Sequence, residues 1–395
     1  MPGLAPSALI SDAEWAKIVD AAKKEGKVTC YCWTWKFDYR SRWAEDEFKK
    51  ATGITFENLV IAGTPAVERI KTEARAGKYV ADIFSSILMY HTPAVWEGTG
   101  LLKNIDNLPN LKDAKDPDKY FYSPIRFPYT IEWPIEWRTA GGANFMYSSK
   151  IVPEDRVPKK WQDLLDPWWK GKLCAANPTA QAGLTFSAWA HFRELGYPDW
   201  WPEFYYNLYL KQNEWVKYYI DGQPDPLNTG DCGMNSSAEW GTSAAHLKSR
   251  YVIDKAPWLR IGTFDPPHPT KTSSGYSVSV PAKSPHPNAA LVFANWLFSQ
   301  ETMLSYSKLG LETVGRRDIP NFIEKEYYPA KAQTKFWAMD AEWVGFEQYS
   351  YASKGVFKLI FEGMPKETWL KWMKDGSTTY WGKYPPPPGT FFSLD

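Results

Sequence analysis

Two cysteines, Cys30 and Cys32, open the stretch CYCWTWKFDYR, and their close spacing raises the question of a metal site or a redox site. A metal site would need partners, but the five histidines are scattered singly and no H-E-x-x-H motif occurs. On a strand, residues i and i+2 point to the same face, with their Cβ atoms too far apart for an unstrained mutual disulfide. We therefore expect both cysteines to be buried packing residues of a central strand.

The other two cysteines, Cys174 and Cys232, fall in two predicted strands of the second half of the chain. Four cysteines are too few for a disulfide scaffold, and they lack the spacing of a zinc site. A single bridge between Cys174 and Cys232 stays open as an alternative to two free thiols.

Catalytic motifs give little support for an enzyme. The sequence contains no G-x-S-x-G, no Walker A loop and no G-x-G-x-x-G after a predicted strand. An enzyme acting on a bound solute would depend on Cys32 or Glu239 as its nucleophile or acid/base group. We expect a protein that is not an enzyme and needs no cofactor or metal, with the enzyme kept as an alternative.

Composition limits the class of protein. A chain of 395 residues exceeds the roughly 250–300 residues at which one core stops growing, so two domains are expected. The 46 basic and 45 acidic residues form no long run of one sign, so we expect no nucleic-acid partner. Tyr, Trp and Phe make up 16% of the chain, and some of these rings should line surfaces or clefts.

The elements that must position any site alternate between helix and strand. Ser11 begins a capping box, and an amphipathic helix follows until Gly26. A strand at KVTCYCW, a helix ending at Gly53, a strand at ITFENLVI, a helix capped by Thr64 and a strand at VADIFSS come next. Such alternation predicts a mainly parallel sheet flanked by helices.

A second series of the same kind follows an extended stretch at residues 120–137. Strands are predicted near residues 172–176, at WVKYYI, at CGMNSS and at residues 272–281. One long helix is predicted from HPNAALVFANW to Gly310. The two series predict two α/β lobes.

Ligands of open parallel sheets bind beyond the carboxyl ends of the strands, where the next helix presents free N–H groups. Polar and aromatic residues recur at these positions in both lobes. Ordinary helix caps and buried core residues would give the same pattern. The candidate ligand-binding residues are Trp33, Trp35, Tyr39, Thr64, Ser85, Ser86, Asn177, Thr179, Ser237, Glu239, Trp240, Ser274 and Tyr276.

Six segments, in this order, resemble the type II extracellular solute-binding proteins of ABC importers, in the branch that includes ferric-iron and small organic solute receptors. They are EWAKIVDAAKKEGKV, FKKATGITFE, ERIKTEARAGKYVADIF, VPKKWQDLLDPWWKGKL, NPTAQAG and SPHPNAALVFANWLFSQE. The resemblance covers about residues 11 to 320. It implies a two-lobed periplasmic-binding-protein type II fold, in which two α/β lobes are joined by crossover hinge strands.

We expect residues 1–130 and 270–395 to form the first lobe and residues 131–269 the second. The resemblance implies a periplasmic or extracellular membrane-associated protein, whose partners are a small organic solute and an ABC permease in the membrane. We expect a monomer, and an export signal removed ahead of this sequence, because the first residues have neither a basic nor an apolar signal region.

One departure bears on the ligand. Ferric-binding members carry a Tyr-Tyr pair after the strand that matches GDCGMNSSAEW, but here Ser237, Ala238 and Glu239 occupy that region. Ferric iron is therefore the alternative, and a small organic solute held by aromatic stacking and hydrogen bonds is the leading hypothesis. Arg126 or Arg138 could pair with an anionic group, whereas Glu239 would suit a cation. The sign of the solute's charge stays open.

Overall fold

The structure is a computed structural model, and the residues it describes fall in several ranges. They are 7–32, 38–61, 63–120, 123–133, 144–176, 203, 206–207, 216–219, 229–235, 257–263, 270–272, 276–309, 314–320, 322, 335–338, 355, 358–359, 362–376 and 391–393.

The chain divides into two compact units. Unit 1 comprises Met1–Glu136 and Ser274–Phe322, and unit 2 comprises Trp137–Ser273 and Ile323–Asp395. The chain therefore leaves unit 1 after residue 136 and returns to it at residue 274. The expected division placed residues 270–395 together in the first lobe, whereas residues 323–395 group with unit 2.

Unit 1 begins with alternating helices and strands. Their order is α1 (Asp12–Glu25), β1 (Lys27–Cys32), α2 (Asp38–Thr52), β2 (Thr55–Leu59), α3 (Gly63–Ala76), β3 (Ile83–Ile87), a 3-10 turn (Leu88–His91), α4 (Pro93–Trp96), β4 (Leu102–Lys103), a second 3-10 turn (Pro109–Leu111), β5 (Ile125–Phe127) and β6 (Thr130–Trp133).

Unit 2 contains the elements of residues 137–273 and those of the C-terminal tail, residues 323–395. They are β7 (Asn144–Ser148), three 3-10 turns (Glu154–Arg156, Trp161–Leu165 and Pro167–Trp169), β8 (Leu173–Ala176), β9 (Val216–Tyr219), β10 (Met234–Asn235), β11 (Leu259–Thr263) and β12 (Thr270–Thr272). Unit 1 resumes with β13 (Tyr276–Pro281), α5 (Pro287–Leu297) and α6 (Gln300–Ser307). The tail adds β14 (Lys335–Ala338), α7 (Lys366–Gly376) and β15 (Phe391–Ser393) to unit 2.

The sheet of unit 1 has the strand order β2-β1-β3-β13-β6-β5, and β4 pairs with the far end of β13. Strands β1, β2 and β3 are parallel, whereas β13 runs antiparallel to both β3 and β6. Strands β3 and β6 therefore run in the same direction. The predicted mainly parallel sheet is confirmed for β1 to β3.

The first helix forms as its sequence predicts. The hydroxyl of Ser11 accepts a hydrogen bond from the backbone N–H of Glu14 at 3.3 Å, and Gly26 ends the helix with φ of 72°. Because L-residues with a side chain rarely adopt such a positive φ, glycine suits this end. The strand β1 then starts at the next residue.

The core of unit 1 contains many of the aromatic residues. The rings of Trp43, Trp133 and Tyr306 contact one another, with centroids 4.7–5.7 Å apart. The indole of Trp133 also donates to the backbone carbonyl of Leu297 at 2.5 Å. Helices α1, α2 and α5 contribute to this core, so these rings stabilise the fold and do not line a surface.

Two helix predictions are corrected. Helix α3 begins at Gly63, so Thr64 lies inside its first turn and is not the cap. The predicted long helix is two helices, because the hydroxyl of Ser299 accepts from the backbone N–H of Thr302 at 3.0 Å and starts α6 after α5 has ended at Leu297.

Unit 2 contains a five-stranded sheet of order β11-β7-β10-β8-β9 and a three-stranded sheet of order β12-β14-β15. The tail thus adds two strands to β12. Helix α7 also packs within unit 2, since Lys366 pairs with Glu203 and the ring of the fully buried Trp369 lies 6.2 Å from that of Tyr206.

Candidate functional site

The edge at which β1, β3 and β6 end is the candidate functional site of unit 1, and we call it the carboxyl edge. Strand β3 ends at Ile87 and β6 ends at Trp133, and Tyr276 at the start of β13 is in register with both. Residues 33–37, 60–62 and 88–91 follow β1, β2 and β3. Ligands of open α/β sheets bind at such an edge.

Tyr276 is a predicted site residue that the structure places at this edge. Its phenol oxygen accepts a hydrogen bond from Nη1 of Arg40 at 2.7 Å, and the guanidinium carbon lies 5.2 Å from the ring centroid. Both side chains are 2% exposed. Arg40 lies in the first turn of α2, so this contact joins the segment after β1 to the start of β13.

Ser85 and Ser86 were both predicted to bind the solute, but they point to opposite faces of the sheet because they are neighbours on β3. Ser85 lies in the row of Cys32 and Val278, on the face that carries the main core. Ser86 lies in the row of Ser277 on the other face. Because they lie on opposite faces, the two hydroxyls do not face one common ligand. Each serine is also buried.

Thr64 is exposed in the first turn of α3, beside a close packing contact. A Cβ atom on Gly63 would lie 2.0 Å from a ring carbon of Tyr90. With the ring of Tyr90 in this position, only glycine fits at residue 63 without a shift of the ring. The contact fixes the positions of two segments that follow the carboxyl edge.

Tyr39 lies in the first turn of α2 and not in a loop, and its side chain is outside the described residues, as is that of Arg126. The other predicted ligand-binding residues also lie outside the described part of the chain, as does Arg138. They are Trp33, Trp35, Asn177, Thr179, Ser237, Glu239, Trp240 and Ser274.

The structure corrects the expectation for Cys30 and Cys32. Both are fully buried on β1, as predicted, but they are paired as a disulfide. Their Cα atoms are 5.2 Å apart, which is shorter than the spacing of fully extended residues and falls inside the range that a disulfide spans. Cys32 is therefore no free nucleophile in this structure, which removes one of the two residues proposed for an enzyme.

The bridge between Cys174 and Cys232, left open by the sequence, is present. Their Cα atoms are 5.8 Å apart, and both cysteines are buried. The bridge joins β8 to the residue two before β10, its parallel neighbour. It therefore fastens two adjacent strands of unit 2.

A polar group on the opposite face of the unit 1 sheet was not predicted. Nδ1 of His91 lies 2.8 Å from the hydroxyl of Ser279, which also lies 2.9 Å from that of Thr130. The His91 ring stacks on Phe84 with centroids 4.3 Å apart. Complete burial lowers the pKa of His91 to about 3, so the ring is neutral at physiological pH. The alternation in YSVSVP was the available signal for an inward row of serines.

The described residues contain neither a metal-binding cluster nor a membrane-spanning helix. No group of three or more His, Cys, Asp or Glu side chains there is arranged to hold a metal ion. No helix among them has the length and apolar character needed to cross a membrane.

The chain belongs to a family of solute-binding proteins. Residues 43–316 match the family described as "Bacterial extracellular solute-binding protein", which is more than half of the sequence. Membership places the chain in the periplasmic or extracellular space and confirms the resemblance drawn from the six segments. The family consists of receptors for solutes and not of enzymes.

Sequence relatives point the same way. The chain is 29% identical over 195 residues to a Salmonella typhimurium protein named "Putative 2-aminoethylphosphonate-binding periplasmic protein". A Salmonella typhi protein of the same name is also 29% identical over 195 residues. The chain spans about half the length of these relatives, since each match covers 49% of this chain and 49% of the relative.

Solved structures share the fold at low sequence identity. The substrate-binding protein of an ABC transporter from Agrobacterium tumefaciens superposes with a TM-score of 0.62, at 15% identity, over 89% of this chain and 97% of that chain. The apo ferric ion-binding protein A of Pasteurella haemolytica gives a TM-score of 0.58, at 17% identity, over 85% of this chain and 98% of that chain. These neighbours confirm the two-lobed periplasmic-binding-protein fold.

Proposed function

We propose that this chain is the solute-binding receptor of an ABC importer, which captures a small organic solute at the carboxyl edge and delivers it to a membrane permease. Family membership supports the receptor role. The geometry that carries the proposal is the shared edge at which β1, β3 and β6 end, because the segments most suited to bind a ligand follow these strands.

The chemistry of this edge favours a solute with an anionic group. Arg40 contributes a guanidinium, whose planar set of N–H donors matches the oxygens of a phosphonate or carboxylate, and Tyr276 contributes a phenol beside it. The Salmonella relatives are named for 2-aminoethylphosphonate, a small organic phosphonate. We therefore take organophosphonates as the first solute class to test.

The aromatic residues predicted at the site would supply most of the affinity. Covering about 150 Å² of apolar solute and ring surface contributes about 4 kcal/mol before ordering costs, against about 0.3–2 kcal/mol for an anion at a helix N-terminus. In this proposal Trp33, Trp35 and Trp240 stack on the solute, and the hydrogen-bonding groups orient it.

The test is a calorimetric titration of the purified protein with 2-aminoethylphosphonate, with ethanolamine as the matched compound that lacks the phosphonate. We expect binding of the first and not of the second. Silence towards all organophosphonates, together with a visible charge-transfer band on adding ferric ion, would establish the ferric-iron alternative instead. Recovery of a chemically altered solute would establish the enzyme alternative.

A variant tests the location of the solute. Replacing Tyr276 by Phe removes one hydroxyl at the carboxyl edge and keeps the ring, so we expect a several-fold rise in Kd. Tyr129→Phe is the matched control, because Tyr129 lies in the turn between β5 and β6, at the opposite edge of the same sheet. Equal Kd values for the two variants would contradict a solute at the carboxyl edge.

A further inference from the structure

The sheet of unit 1 contains a buried row of polar side chains that the proposed function does not use. Ser86 on β3, Ser277 on β13 and Glu132 on β6 are neighbours in register, and we call them the polar row. Their exposed fractions are 1%, 0% and 4%, respectively. Because partners in register point to the same face, all three side chains share the face opposite the main core.

Within the part of the chain that the structure describes, the two serine hydroxyls of this row lack partners. Neither Oγ of Ser86 nor Oγ of Ser277 has a hydrogen-bond partner among the described residues. Buried hydroxyls normally have a hydrogen-bond partner. Without one, a hydroxyl loses its hydrogen bonds to water on folding and gains none in exchange, which costs free energy. The two hydroxyls lie on neighbouring strands, at the same level of the sheet.

The next level of the same face shows the contrast. Ser279, two residues after Ser277 on β13, has its hydroxyl bonded to both His91 and Thr130. The second ring nitrogen of that histidine, Nε2, is a further buried atom that has no partner among the described residues. The face thus offers two hydroxyls and one imidazole nitrogen as donors or acceptors.

We propose that the polar row binds an ordered water molecule shared by Ser86 and Ser277. A buried water makes about three hydrogen bonds and acts as both donor and acceptor, which fits two hydroxyls on adjacent strands. This water lies in the interior of unit 1, whichever solute the receptor binds.

The polar row includes residues on the strands of unit 1 that lead to and from unit 2. Among the strands of unit 1, β6 and β13 are the nearest to the two points where the chain passes between units, after residue 136 and before residue 274. A water that bridges two polar groups is nearly as favourable in enthalpy as a direct hydrogen bond. The shared water therefore satisfies two buried hydroxyls, one on β3 and one on β13.

The experiment is a double-mutant cycle in the full chain with Ser86→Ala, Ser277→Ala and the double variant, read by urea unfolding. If the water is present, each single variant loses a hydrogen bond, and the folding equilibrium constant falls about fivefold. The double variant then loses less than the product of the two single losses, because the first substitution already disrupts the shared water.

Ser279→Ala is the matched control, since it removes a hydroxyl of the same strand and face whose partners are protein atoms. It should lower the folding constant whether or not the polar row is hydrated. Single variants at Ser86 and Ser277 that are as stable as the wild type, or more stable, would show a dry row and overturn the proposal. Independent, multiplicative losses would also overturn it, because they exclude a shared water.

A measurement on the wild type covers the case in which a variant does not fold. Magnetic relaxation dispersion of oxygen-17 water detects long-lived internal waters, and a crystal structure at high resolution shows whether one lies between the two hydroxyls. Finding no water at that position would overturn the proposal.

Discussion

Asp82 provides the sharpest test of how unit 1 is held together. This residue directly precedes β3 and is fully buried. Its Oδ1 accepts hydrogen bonds from the hydroxyl of Ser284 at 2.6 Å and the backbone N–H of His286 at 2.8 Å. Its Oδ2 accepts from the backbone N–H of Thr29 at 2.8 Å and lies 2.9 Å from Nδ1 of His286. One carboxylate thus connects β1, β3 and the start of α5.

The expected loss of stability depends on how many buried backbone donors lose their acceptor. In Asp82→Asn the amide keeps one oxygen, and whichever way it turns, its NH₂ group faces one of the two backbone N–H groups. One buried donor then loses its acceptor, which costs about 1–3 kcal/mol. In Asp82→Ala both backbone donors lose their acceptor, so we expect a loss of about 4 kcal/mol in the free energy of unfolding.

The assay is urea unfolding combined with hydrogen exchange at the amides of Thr29 and His286. We expect the order of stability wild type, Asp82→Asn, Asp82→Ala, with faster exchange at one or both amides. Asp118→Asn is the matched control, because that carboxyl is exposed, and it should change stability by less than about 0.5 kcal/mol. An Asp82→Asn protein as stable as this control would refute the reasoning.

Three further predictions concern packing, pH and covalent structure. Gly63→Ala should lower stability by about 1–3 kcal/mol in thermal unfolding, because the new methyl meets a tyrosine ring that must move. The hydrogen bond from Arg316 lowers the pKa of Asp318, so its stabilisation is complete above about pH 4 and is lost as the pH falls through the folded-state pKa. Stability of the wild type should thus fall more steeply in acid than that of Asp318→Asn, and parallel curves would contradict this. Peptide mapping without reductant should find Cys174 joined to Cys232. Replacing both cysteines by Ser should lower the free energy of unfolding by about 4 kcal/mol, because the bridge closes a loop with a sequence separation of 58. An unchanged urea midpoint would count against the bridge.

Local patterns predicted the elements of unit 1 well because the forces that start and end them act over a few residues. The cap at Ser11, the stop at Gly26 and the apolar spacing between them are all visible within one segment. The same local view failed at Ser299. A serine inside a helical pattern can either stay in the helix or cap a new one, and the neighbouring packing decides which occurs.

The candidate site was predictable in location but not in detail. Strand ends in a parallel sheet share an edge, so the sequence could point to the segments after β1, β2 and β3. It could not say which of Ser85 and Ser86 faces the main core, because that depends on which face of the sheet the helices cover. It also did not identify Arg40 as a partner of Tyr276. The disulfide between Cys30 and Cys32 also escaped prediction, since an ideal extended geometry was assumed for the strand.

The sequence by itself determined the class of this protein: two α/β series along the chain and membership of a solute-binding family. Only the tertiary structure decided which side chains meet. Arg40 and Tyr276 are 236 residues apart in sequence and 2.7 Å apart in space, and Asp82 reaches His286 across 204 residues. Such contacts depend on sheet register and on the return of the chain at residue 274, and these are set by the packing of the whole unit and not by any local pattern.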